Sequence, residues 1–198
     1  MITAACGIAV VTNARLGTTP ITSIPLVCDA ILPLSVGGYT AIINTLFVIA
    51  QKFILGPKFR YTIYLQLLPM LVFSAAIDFW LHQTAMIVAL PYLERFCFLM
   101  IGIATLAAGI FIQVVCNVVV MPGEGIVLAI AYRARHAFGS IKVIVDCSMV
   151  GTAALMSFIG LGTITGIREG TVLSAVLTGF IVRFYSFCAK KIGLIPKD

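Results

Sequence analysis

Charge is what this sequence most conspicuously lacks. Only 10% of its 198 residues are Asp, Glu, Lys or Arg, where a soluble domain carries about 25%. That deficit, with 61% hydrophobic residues and a mean hydropathy of +1.14, excludes a water-soluble globular surface. Strict alternation of apolar and polar residues is also missing, which excludes a transmembrane barrel. The six cysteines (Cys6, Cys28, Cys97, Cys116, Cys147, Cys188) stand singly, without a C-x-x-C or a Cys/His cluster. They read as small buried hydrophobes rather than metal ligands or disulfides. Nucleophile–base pairs, zinc-ligand spacing and a Walker-type loop are all missing, so nothing argues for an enzyme or a cofactor. The glycine-rich stretch GLGTITGIREG (160–170) lacks strand–helix context and reads as a turn. The net charge of +6 does not indicate nucleic acid, because the basic residues lie between apolar runs.

What is present is a series of long apolar runs. About 20 residues of helix cross a bilayer core of about 30 Å, and helices satisfy their own backbone there. Six spans are expected, at about 1–14, 37–54, 62–82, 95–118, 140–160 and 169–188. The first is short, and no positive n-region marks it as a signal peptide, so the expectation is a natural start further upstream. Two further apolar segments, about 20–32 and 123–135, each follow a proline and end in a break. At about 20 Å neither can cross alone, so both read as re-entrant half-helices. The expected fold is therefore an all-α integral membrane protein with six transmembrane helices and two half-helices.

The features recur at a spacing of 102 residues: Gly7 falls on Gly109, Pro20 on Pro122, Gly37 on Gly139, Asn44 on Asp146. With three more residues of offset, 66–79 overlays 171–184. The order of span, proline break, half-helix, glycine break, span, loop and span occurs twice. This divides a single transmembrane domain into a first repeat, 1–84, and a second, 93–190. Three spans per repeat make the second repeat inverted. With both termini cytoplasmic, Lys52, Lys58, Arg60, Arg133, Arg135, Lys142, Lys190, Lys191 and Lys197 lie inside, and Arg15, Arg95 and Arg168 outside. That distribution agrees with the positive-inside rule. Trp80, Tyr61, Tyr92 and Tyr185 fall near span ends, as an aromatic belt does.

Inverted repeats with a broken helix in each half are a plan of secondary transporters, whose substrates bind near the midplane at half-helix N-termini. The candidate substrate site is thus Arg15, Thr18, Thr19 and Pro20 at the first break, and Pro122, Gly123, Glu124 and Gly125 at the second. Asn44 and Asp146 would line it. Glu124 reads either as a carboxylate complementing the half-helix dipole or as a proton or cation site, since an intramembrane carboxylate is expensive. Arg15 reads as an interfacial arginine or as a counter-ion. Asp78 and Arg183 match between repeats and are candidates for a buried pair. His136 suits a headgroup contact. No metal site is indicated.

RLGTTPITSIP (15–25), LPLSVGGYTAIINTLFVIAQ (33–52), MPGEGIVLAIAYRARHAFGSIKVIVD (121–146) and GIREGTVLSAVLTGFIVRF (166–184) resemble the YczE/YyaS/YitT group of bacterial membrane proteins. The resemblance implies a multi-span protein of the bacterial inner membrane and implies no substrate. The functional expectation is a transporter of an anionic or zwitterionic small molecule, coupled to a proton or ion and working as a homodimer. The alternatives are a membrane binding subunit that needs a separate energising partner, and a structural or regulatory membrane protein.

Overall fold

The computed structural model describes residues 1–116 and 120–192. Among these the chain is all-helical. Eight α-helices follow in order: α1 (Ile2–Asn13), α2 (Pro20–Ile31), α3 (Val36–Leu55), α4 (Leu67–Gln83), α5 (Tyr92–Val115), α6 (Pro122–Ala134), α7 (Phe138–Leu161) and α8 (Glu169–Ile192). Short 3-10 turns join α3 to α4 and α4 to α5.

Among the described residues, five helical segments are long and apolar enough to cross a membrane: Val36–Lys58, Ile63–Gln83, Tyr92–Val115, Phe138–Leu161 and Glu169–Ala189. The chain is a multi-pass membrane protein. α1, the expected first span, has 12 residues here and is a shorter apolar helix, not one of the five. The two expected half-helices are found as 12- and 13-residue helices with prolines at their first positions, Pro20 and Pro122. Proline suits that place because the first-turn amide has no acceptor within the helix and its φ is already helical.

Helix boundaries recur at the spacing read from the sequence. α2 and α6 start 102 residues apart, as do α3 and α7, and α4 and α8; α1 and α5 end 102 apart.

The chain divides into two compact units that interleave along the sequence. The first contains residues 1–19, 76–118 and 166–198; the second contains 20–75 and 119–165. α1, α5 and α8 thus belong to the first, and α2, α3, α6 and α7 to the second, while α4 is divided between them.

In the first unit α5 packs against both α1 and α8. The α1–α5 seam is built on glycine. A Cβ at Gly7 would lie 2.3 Å from the Leu106 amide nitrogen, and one at Gly109 2.5 Å from that of Ala4. Backbones in membranes approach this closely only over small residues. Val10, Val11, Ala14, Leu16, Ile87, Leu99 and Ile103 form the buried core beside the seam. Asn13 fixes the end of α1 by donating to the Leu81 carbonyl and the Thr84 hydroxyl, both at 2.8 Å.

In the second unit α2 packs against α3 and α7, and α6 against α3 and α7. The core here is Ile126, Val127, Ala131 and Ile141, with Phe47, Ala50 and Ile54 against it. α6 ends at Arg135, whose left-handed φ of 56° reverses the chain into α7. Lys58 bonds the Tyr132 hydroxyl and lies 4.9 Å from the ring centroid, tying the α3–α4 connection to the end of α6.

The glycine seam yields a paired prediction. Gly7→Ala or Gly109→Ala forces backbones apart, and should cost about 1–3 kcal/mol or more. Gly179→Ala, where nothing lies within 4 Å, should be neutral or stabilising by up to about 1 kcal/mol. Thermal unfolding in detergent compares the three.

Candidate functional site

The first break belongs to the first unit as far as Thr19. Arg15 is exposed and takes a left-handed φ of 52°. Gly17, at φ 139°, lies where a Cβ would be 2.4 Å from the Thr171 nitrogen. This turn is knitted to the start of α8: Gly170 donates to the Leu16 carbonyl at 2.7 Å, and the Thr18 amide donates to Thr171 Oγ1 at 3.2 Å. Ser174 Oγ donates to the Thr18 carbonyl at 3.2 Å, and the Thr12 and Thr18 hydroxyls bond at 3.1 Å. Thr18 and Thr19 are buried. Asp78 is half-buried on α4, while Arg183 is exposed on α8.

The second unit holds the denser polar constellation. The N-terminal turns of α2 and α6 meet there: Ile21 Cδ1 occupies the space above Gly123, 2.1 Å from where a Cβ would stand. Each turn begins with orphan amides, which carry the positive end of the helix dipole. Pro25 lies inside α2, so the Ile21 carbonyl is denied its helical donor. Ser23 Oγ donates to the Pro20 carbonyl at 2.6 Å.

α3 supplies the wall of this site. Val36, Gly37, Thr40, Asn44, Val48 and Gln51 form its buried face at helical spacing. Gln51, 2% exposed, sits against the α6 N-terminus. Its Nε2 donates at 3.4 Å to both the Pro122 carbonyl and Gln66 Oε1. A Cβ at Gly125 would be 2.8 Å from Gln51 Oε1, so glycine at 125 is what admits the amide. Asn44 is 3% exposed and donates to the Thr40 carbonyl at 2.9 Å. Its Oδ1 finds no hydrogen-bond partner among the described residues. A buried acceptor left this way costs about 1–3 kcal/mol unless a donor reaches it.

Charge enters from α6 and α7. Glu124 is in the first turn of α6 and half-buried. It interacts electrostatically with Lys142 and Asp146 of α7. Those two form an i,i+4 ion pair at 2.5 Å, with side chains 33% and 19% exposed. Of the residues expected from sequence, the second unit therefore contains Pro20, Asn44, Pro122, Gly123, Glu124, Gly125 and Asp146, and the first unit contains Arg15, Thr18 and Thr19.

Gln51, Gln66 and Lys142 belong to the constellation and were not expected from sequence. Gln51 lies two helical turns after Asn44, a face-sharing signal that was there to be found. Lys142 had an explanation already, as one of the charges that orient the chain. Gln66 sits in a 3-10 turn, where no periodic pattern marks a buried face.

The chain belongs to the family of unknown function DUF6198, whose pattern matches residues 1–187. Nothing in that match links it to the YczE/YyaS/YitT group. No curated protein and no solved structure matches the chain.

The Gln51–Gly125 contact predicts a coupled pair. Gly125→Ala alone should lower stability by about 1–3 kcal/mol by displacing the buried amide. Adding Gln51→Ala should recover part of that loss, giving an interaction energy of about 0.5 kcal/mol or more in a double-mutant cycle. Strict additivity in thermal unfolding would show that the two do not meet.

Proposed function

We propose that this protein is a small-molecule transporter of the bacterial inner membrane, working by alternating access of two inverted repeats. The observation that carries the proposal is the meeting of the α2 and α6 N-terminal turns at Ile21 and Gly123, beside buried Gln51 and on a face of α3 that also carries buried Asn44. Short helices whose positive ends converge on one polar place suit a ligand with an anionic group. Glu124 and the open Oδ1 of Asn44 suit a cationic or hydrogen-donating group, so a zwitterion satisfies both.

The repeat reading draws support from helix boundaries that recur 102 residues apart. It also draws support from packing that is reciprocal within the second unit, where α2 and α6 each meet both α3 and α7. With α1 counted as the first membrane segment of its repeat, three segments per repeat would turn the second upside down, and the excess of Lys and Arg on one side would place both termini in the cytoplasm. Arg15 would act at the mouth of the first break, and a homodimer would supply the scaffold. A ligand-binding subunit with a separate energising partner would use the same site without coupling.

The test is thermal stability of the purified protein against anions, zwitterionic metabolites and cations. A ligand of the folded state raises stability by about 2.7 kcal/mol at 100 times its dissociation constant. The expected result is a saturating rise with a zwitterion, weakened but measurable in Glu124→Gln and in Arg15→Ala, both folded. In proteoliposomes loaded with that compound, Glu124→Gln should abolish gradient-driven uptake and spare exchange. Binding without uptake in the wild type would favour the partner-dependent subunit. Stability loss in the variants, with no ligand found, would favour a structural role.

A further inference from the structure

The polar positions of the second unit come in two matching sets. Glu124, Lys142 and Asp146 lie 102 residues after Thr22, Thr40 and Asn44. The earlier trio is neutral and buried, 1%, 2% and 3% exposed. Within it Asn44 bonds the Thr40 carbonyl, as in the later trio Asp146 bonds Lys142. Neutral side chains therefore suffice to pack these positions, and the later trio is charged for another reason.

Fully ionised, two carboxylates and one ammonium leave one negative charge uncompensated. Among the described residues, the charges that act on Glu124 are Lys142 and Asp146 of α7. α2, whose first turn meets that of α6, has one charged residue, Asp29, exposed near the helix's other end, and α3 places neutral Gln51 against Gly125. The one charged residue of α3, Lys52, is exposed. An unpaired charge at membrane depth costs about 2.5–3.5 kcal/mol or more. A metal ion is a poor remedy, because the described residues contain no group of three or more His, Cys, Asp or Glu able to hold one. Lys142 already stands where a cation would meet Asp146. A proton removes the excess charge and needs no further ligand.

We propose that Glu124, Lys142 and Asp146 form a site for a single exchangeable proton. The proton adds to an oxygen of one carboxylate, and Lys142 pairs with the other, which stays ionised. Moving the proton from Asp146 to Glu124, or the reverse, transfers the ammonium between α7's own carboxylate and that of the half-helix. Such a site would be the coupling device of the transporter, and only that role rests on the transporter reading.

The test reads the proton directly. Infrared difference spectra of the reconstituted protein are taken across a pH titration, following the C=O stretch of protonated carboxyls in wild type, Glu124→Gln, Asp146→Asn and Lys142→Met. The expected result is one protonated carboxyl at neutral pH that disappears in both Glu124→Gln and Asp146→Asn, since the remaining acid then ionises against Lys142. In Lys142→Met the band should grow roughly twofold, because neither carboxylate has a partner. Persistence of the band in either carboxyl variant, or an unchanged band in Lys142→Met, overturns the shared site. The spectra require no substrate, so they stand or fall separately from ligand binding and uptake.

Discussion

Backbone amides and carbonyls that end a helix inside a membrane have to be satisfied by the protein itself, by a ligand or by water. On the proposed re-entrant reading, that requirement governs the second unit. α2 and α6, of 12 and 13 residues, would end where lipid offers no hydrogen bonds. Side chains answer part of the demand: Ser23 bonds the Pro20 carbonyl and Gln51 the Pro122 carbonyl. Asn44 Oδ1 stays a buried acceptor with no partner among the described residues, the kind of group that burdens a fold and that the proposed ligand would satisfy.

The first unit meets a different demand. There is little hydrophobic drive between helices already in lipid, so association depends on close packing and on interhelical hydrogen bonds. Gly7, Gly102 and Gly109 bring the α1 and α5 backbones into contact. The turn after α1 is then held by the first residues of α8, through Leu16, Thr18, Gly170, Thr171 and Ser174. These contacts hold the end of α1 in the first unit.

The charged trio has neutral counterparts 102 residues earlier in the chain. Thr40 and Asn44 hold their places with neutral hydrogen bonds to the Val36 and Thr40 carbonyls, and Thr22 is buried beside α6's partner helices without charge. The later positions carry three charges, so the same chain offers a neutral comparison for the charged set.

Much of this architecture was legible from composition and punctuation. Apolar runs marked the long helices because 1.5 Å per residue against a fixed bilayer thickness leaves little choice of length. Pro20 and Pro122 marked the starts of the short helices because proline is tolerated at a first turn and little further in. The spacing of 102 residues was visible because it is a property of order. Tertiary structure decided the rest. Which helices share a unit depends on side-chain fit across long separations, so the two units cut through both repeats. That Gln51 reaches Gly125, that Glu124 stands within the field of Lys142 and Asp146, and that Ile21 meets Gly123 are facts of packing. Linear spacing places a residue on a face of its own helix, and says nothing of which other helix that face will meet.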